Sequence, residues 1–114
     1  MTIGTGEDAD FTPVELLLAA IGGCSAIDVD LITSKRAEPE SFRVDASGEK
    51  IRDEAGNRME DLALNFAVRF PDDEGGAAAR SVLATAVAKS HDRLCTVSRT
   101  VEIGTPVATR IDEP

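Results

Sequence analysis

The chain has no Trp, no Tyr and only four Phe. Aromatic side chains bury the largest apolar areas, so a core must be assembled here from Leu, Ile, Val and Ala. Basic residues are scarce: 12 Lys and Arg stand against 21 Asp and Glu, a net charge of −9. Nucleic acids and anionic membranes are bound by Lys and Arg that neutralise phosphates, so this deficit argues against both partners; the excess of acid serves solubility. One His and two Cys are too few for a closed zinc site without carboxylates, and neither a metal nor a resident cofactor is expected. Two Cys also make no disulfide framework. Residues 1–11 carry Glu7, Asp8 and Asp10 and no base, unlike the positive start of a secretory leader. No apolar run approaches the length of a membrane span. These features point to the cytoplasm, where thiols stay reduced unless chemistry oxidises them.

At 114 residues the sequence fits one domain spanning 1–114, with Gly-rich, acidic residues 1–11 as a flexible lead-in. Thr12-Pro13-Val14-Glu15 is a helix start: Thr12 as N-cap, Pro13 at the first position, Glu15 bonding back in a capping box. Leu16, Leu17, Ala20, Ile21, Cys24, Ile27 and Leu31 follow at helical spacing and predict one apolar face, with the helix ending near Lys35-Arg36 before Pro39. Phe42, Val44 and Ala46 alternate with polar residues and predict a strand. After a turn at residues 53–57, strict alternation from Leu62 to Phe70 predicts a second strand, paired with the first as a hairpin. Pro71 to Gly76 reads as a loop. A second helix is predicted over Ala77 to His91, and a last strand over Ser98 to Ile103, reaching toward Ile111. This is an α+β pattern. Three strands and two helices make a thin domain whose sheet edges need cover.

Cys24 lies on the apolar stripe of the first helix, directly after Gly22-Gly23. A free Cys there is ordinary core packing, but each mid-helix Gly costs about 1 kcal/mol relative to Ala. The pair therefore implies close backbone packing or access to the sulfur. Cys95 stands between the second helix and the last strand, in His91-Asp92-Arg93-Leu94-Cys95-Thr96-Val97-Ser98-Arg99, and packing is again the simplest role. His91 suits a helix end as a surface cation.

Residues 12–29, TPVELLLAAIGGCSAIDV, and residues 94–103, LCTVSRTVEI, resemble the OsmC/Ohr family, the osmotically induced and organic hydroperoxide resistance proteins. The Gly-Gly-Cys-Ser-Ala-Ile-Asp segment looks more like the less characterised branch than like the established peroxidases. The resemblance covers nearly the whole chain from Thr12. It implies an α+β fold in which two subunits intertwine as a homodimer, with long helices against an antiparallel sheet. It also implies a thiol peroxidase of oxidative stress, acting on organic hydroperoxides or hydrogen peroxide. Cys24 is then the peroxidatic thiol and Cys95 the resolving thiol, and an external dithiol, lipoyl or similar, restores the pair. Two positions depart from the family pattern. The strands that usually precede the first helix, one carrying an Arg that stabilises the thiolate, have no counterpart here; either the chain is truncated or another residue substitutes, with Arg93 and Arg99 the candidates by their proximity to Cys95 in sequence. The acidic partner of that Arg, often ten residues before the cysteine, is replaced by Val14, with Glu15 adjacent. Glu15, His91 and Arg99 are thus the supporting candidates. Two other readings remain open: a binding protein whose apolar helix seam holds a small hydrophobic ligand, and an inactive family member.

Overall fold

A computed structural model describes residues 1–112; the domain reading to Pro114 extends past that range. The order is α1 (Pro13–Thr33), β1 (Ser41–Asp53), β2 (Gly56–Arg69), α2 (Glu74–Lys89), a π turn (Ser90–Leu94) and α3 (Thr96–Glu102). Before α1, the Gly4 N–H donates to the Phe11 carbonyl at 2.8 Å and closes a loop without regular structure.

The start of α1 follows from its capping box. The Glu15 N–H donates to Thr12 Oγ1 at 3.2 Å, and Glu15 Oε1 accepts from the Thr12 N–H at 2.9 Å, which satisfies two end donors that the helix itself cannot. The helix ends at Thr33, with Ser34 as C-cap donating to the Asp30 carbonyl. Residues 34–36, expected to be helical, are a turn, within the usual fraying of helix ends. By length and composition, the 21-residue α1 qualifies as a membrane span, which corrects the expectation that nothing here approaches one. In the fold α1 packs on β1, α2 and α3. The core-facing stripe is Ile21, Gly22, Ser25, Val29 and Thr33. The predicted stripe is shifted from this, because α1 is apolar on more than one side; Ile27 and Leu31 are 63% and 64% exposed.

The hairpin pairs Phe42 with Val68, Val44 with Phe66 and Ala46 with Leu64. These residues turn one face toward α1, and the Phe42 and Phe66 rings meet edge to face at 6.4 Å. Past Ser47 the register shifts by a bulge, with Asp61 at φ 53. Gly48 sits opposite, where a Cβ would come within 2.7 Å of Leu62 Cδ2.

Helix α2 begins three residues earlier than predicted. Asp73 caps it by accepting from the Gly76 N–H at 2.8 Å, and Gly76 lies against the Pro71 backbone, where no side chain fits. The two glycines read as loop in the sequence; here they let the helix start in close contact.

The predicted last strand is a correction. Thr96–Glu102 is helical, residues 105–112 have no regular structure, and the sheet among the described residues is two-stranded. The β-branched Val97, Thr100 and Val101 suggested a strand. Capping wins locally: Cys95 Sγ accepts from the Ser98 N–H, and Thr100 Oγ1 donates back to the Thr96 carbonyl.

Buried hydrophobic residues are few: Ile21, Val29, Phe70, Ala79, Ala86 and Cys95. The surface area is 8549 Å², against about 6,000 Å² for a compact chain of this mass. The radius of gyration is 17.6 Å, against about 13 Å for a compact domain of this length.

Candidate functional site

Cys24 lies near the middle of α1, and Asp28 follows one turn later on the same face. Cys95 ends the π turn, whose last bond runs from the Cys95 N–H to the Ser90 carbonyl at 2.8 Å. A π turn is wider than an α turn and recurs at functional sites. Here it carries the chain from α2 into α3 and sets Cys95 against α1. The Cys24 and Cys95 sulfurs and a carboxylate oxygen of Asp28 all lie within 4.8 Å of one another. Cys24 and Asp28 are half-buried and Cys95 is fully buried. Both cysteines are free thiols.

Two serines frame the cluster from opposite sides. Ser90 Oγ, in the π turn, donates to Asp28 Oδ2 at 2.9 Å. The Ser98 N–H donates to Cys95 Sγ at 3.3 Å. The same first turn of α3 brings the Val97 N–H to the side of Cys24, where it favours the thiolate.

These contacts push the two thiols apart in acidity. The Val97 N–H favours the Cys24 thiolate, but the adjacent Cys95 sulfur, burial and the Asp28 charge outweigh it and raise the Cys24 pKa above its ordinary value. Burial opposes ionisation of Cys95, yet the hydroxyls of Ser98 and Ser25, the Ser98 N–H and the Cys24 thiol hydrogen-bond its sulfur and lower its pKa. The two thiols are coupled and titrate as a pair, with Cys24 shifted up and Cys95 shifted down.

The supporting candidates lie elsewhere. Glu15 is held in the capping box, and the Thr12 hydrogen bonds lower its pKa; it stands nine residues before Cys24, about 13 Å along the helix. His91 is exposed, 3.0 Å from Asp92 and 3.2 Å from Glu102. These two carboxylates, Asp92 first, raise its pKa. Arg93 and Arg99 are exposed. Among the described residues, no cation forms an ion pair with the cysteine cluster.

Two grooves flank α1. One of about 530 Å³ runs between α1 and β1, past Gly22, Gly23 and Phe42. The other, about 460 Å³, lies between α1, the hairpin, α2 and α3. Its floor is apolar, with Leu18, Leu64, Phe66 and Val87. It reaches Ser25 and Ser98 beside Cys95, and His91 and Glu102 stand at its polar side. Of the glycines before Cys24, Gly22 packs closely on Ala46, whereas nothing approaches Gly23 within 4 Å.

Sequence reasoning had singled out the two cysteines but not Asp28, Ser90, Ser25 or Ser98. Only Asp28 left a signal, its four-residue spacing from Cys24. Of the serines, Ser25 and Ser98 sit beside the cysteines in sequence, whereas Ser90 reaches Asp28 only in the fold.

A family model described as OsmC-like protein matches residues 4–110. Among curated proteins, Protein YhfA of Escherichia coli K12 is 35% identical over 100 residues, which covers 87% of this chain and 70% of that protein. YhfA of Shigella flexneri matches equally. One solved structure from structural genomics superposes with a TM-score of 0.63 at 31% identity, covering 88% of this chain and 70% of its own. An OsmC-like protein of unknown function from Vibrio cholerae superposes with a TM-score of 0.67 at 22% identity, covering 82% and 60%.

Proposed function

Since this chain belongs to the OsmC-like family, we propose that it is a cytoplasmic, homodimeric thiol peroxidase that reduces organic hydroperoxides or hydrogen peroxide in oxidative stress. The observation that carries this reading is the approach of Cys24 and Cys95 sulfurs to within 4.8 Å, short enough for a small side-chain rotation to bring them to disulfide distance.

Cys24 attacks because it is the more exposed of the two. Its sulfur displaces at the peroxide O–O bond and takes one oxygen as sulfenic acid; the other oxygen leaves with the thiol proton as alcohol or water. Cys95 then attacks the oxidised sulfur, the S–O bond breaks, water leaves and a disulfide forms. An external dithiol, such as a dihydrolipoyl group, supplies the two electrons and two protons that restore both thiols and is itself oxidised to the disulfide. The proton held on Cys24 makes the first step slow at neutral pH, because thiolate is the nucleophile.

The homodimer is supported by exposed Ile27 and Leu31 on α1 and by a surface well above that of a compact chain. A turnover assay tests the function: cumene hydroperoxide with a dithiol reductant should be consumed by the wild-type protein and not by Cys24→Ser. Equal consumption by the two would exclude the enzyme.

A second reading is favoured by the groove of about 460 Å³, which has the size and apolar lining of a small-ligand site. In that case the cysteines are unreactive core residues, and a hydrophobic ligand stays with the purified protein in native mass spectrometry.

A further inference from the structure

We infer that the reduced protein binds one borderline-soft divalent cation of the zinc class per chain, through Cys24 Sγ, Cys95 Sγ and an Asp28 carboxylate oxygen. The sequence offered too few His and Cys for such a site without carboxylates; the fold supplies one. The three donor atoms come within 4.8 Å of one another, and tetrahedral zinc bonds of about 2.0–2.3 Å place donors about 3.3–3.8 Å apart. A small contraction therefore closes them round one ion.

The surroundings suit a metal site. Ser90 Oγ fixes one Asp28 oxygen at 2.9 Å and leaves the other for the sulfurs, the role an outer-shell hydrogen bond plays for a ligating carboxylate. The Ser98 N–H already points at Cys95 Sγ, as backbone donors do where thiolate charge gathers. Cys24 is only half-buried, so the fourth position stays open to water. The other acidic cluster, Glu49, Glu60 and Asp61, lacks these features: it has no sulfur, and Arg58 pairs with Glu60 at 3.3 Å. Binding is an exchange without redox change: the cation enters, both thiol protons leave and the carboxylate stays ionised. Both sulfurs are then occupied, so the bound ion competes with peroxide. Conversely, disulfide formation removes two of the three ligands and releases the ion.

The inference does not depend on the peroxidase reading and is tested without peroxide. Cadmium chloride is titrated into the reduced full chain, following the ultraviolet thiolate-to-cadmium charge-transfer absorption and proton release in weak buffer. The expected result is saturation at one ion and two protons per chain, and loss of the band in Cys24→Ser and Cys95→Ser. Asp28→Asn and Ser90→Ala, checked for folding by circular dichroism, should each weaken binding about 10–100-fold. Absence of the band, half an ion per chain, or unchanged affinity in folded Asp28→Asn and Ser90→Ala would overturn it.

Discussion

Ser90 and Asp28, 62 residues apart in sequence, are joined by a hydrogen bond of 2.9 Å from the Ser90 hydroxyl to the Asp28 carboxylate. It ties the π turn to α1 at the level of Cys24 and so fixes how Cys95, five residues after Ser90, meets that cysteine. The site is therefore an arrangement of one helix face and one turn, in which the ionisation of each thiol depends on the other.

That coupling gives a pH prediction. Cys95 and Asp28 help raise the Cys24 pKa, so the reactive thiolate is a small fraction until the pH passes it. The rate of Cys24 alkylation by iodoacetamide should climb with pH through and beyond the ordinary thiol range of about 8.5. In Cys95→Ser the neighbouring sulfur charge is gone, so the profile should move to lower pH. A profile unmoved by Cys95→Ser would separate the two thiols electrostatically.

His91 offers a second titration. Asp92 and Glu102 raise its pKa, so the folded state binds its proton more tightly than the unfolded chain. The resulting stability is fully present below the unfolded value of about 6.5 and is lost as pH rises through the folded value. Because His91 is largely exposed, the effect on stability is small and salt-sensitive. Glu102→Gln should lower the His91 pKa toward its ordinary value in an NMR titration of the ring protons.

The exposed side of α1 predicts the assembly state. Wild-type protein should sediment at twice the chain mass. Ile27→Glu combined with Leu31→Glu should sediment as a monomer, because the charges would sit on the exposed apolar face that the proposed dimer would bury. A monomeric wild type would refute the homodimer.

Gly76→Ala should destabilise the protein by about 1–3 kcal/mol in urea unfolding. Its Cβ would collide with the backbone of Pro71, which cannot move aside like a side chain end. Gly23→Ala is the matched comparison: nothing lies within 4 Å of that position in the chain, so only helix propensity acts there within the chain.

Much of this was legible in the residues. The Thr12 and Glu15 capping box and the Phe42–Phe66 hairpin follow from local rules, and the motifs around Cys24 and Cys95 carry the family. The start of α2 was hidden because Gly75-Gly76 reads as loop until the Pro71 backbone is seen beside it. Helix α3 was hidden because its cap is a cysteine sulfur, an N-cap that propensity does not anticipate. Arg93 and Arg99 looked like partners of Cys95 by sequence proximity, yet both are exposed; the donors that meet the sulfurs are serine hydroxyls and backbone N–H groups.

The most direct test of the redox pair is a single turnover. Reduced protein is treated with one equivalent of cumene hydroperoxide, quenched by alkylation and mapped by peptide mass spectrometry. The account predicts loss of both thiols and a Cys24–Cys95 disulfide within one chain, with Cys95→Ser stopping at a sulfenic acid on Cys24 that dimedone traps. Two freely alkylated cysteines after peroxide treatment would contradict it.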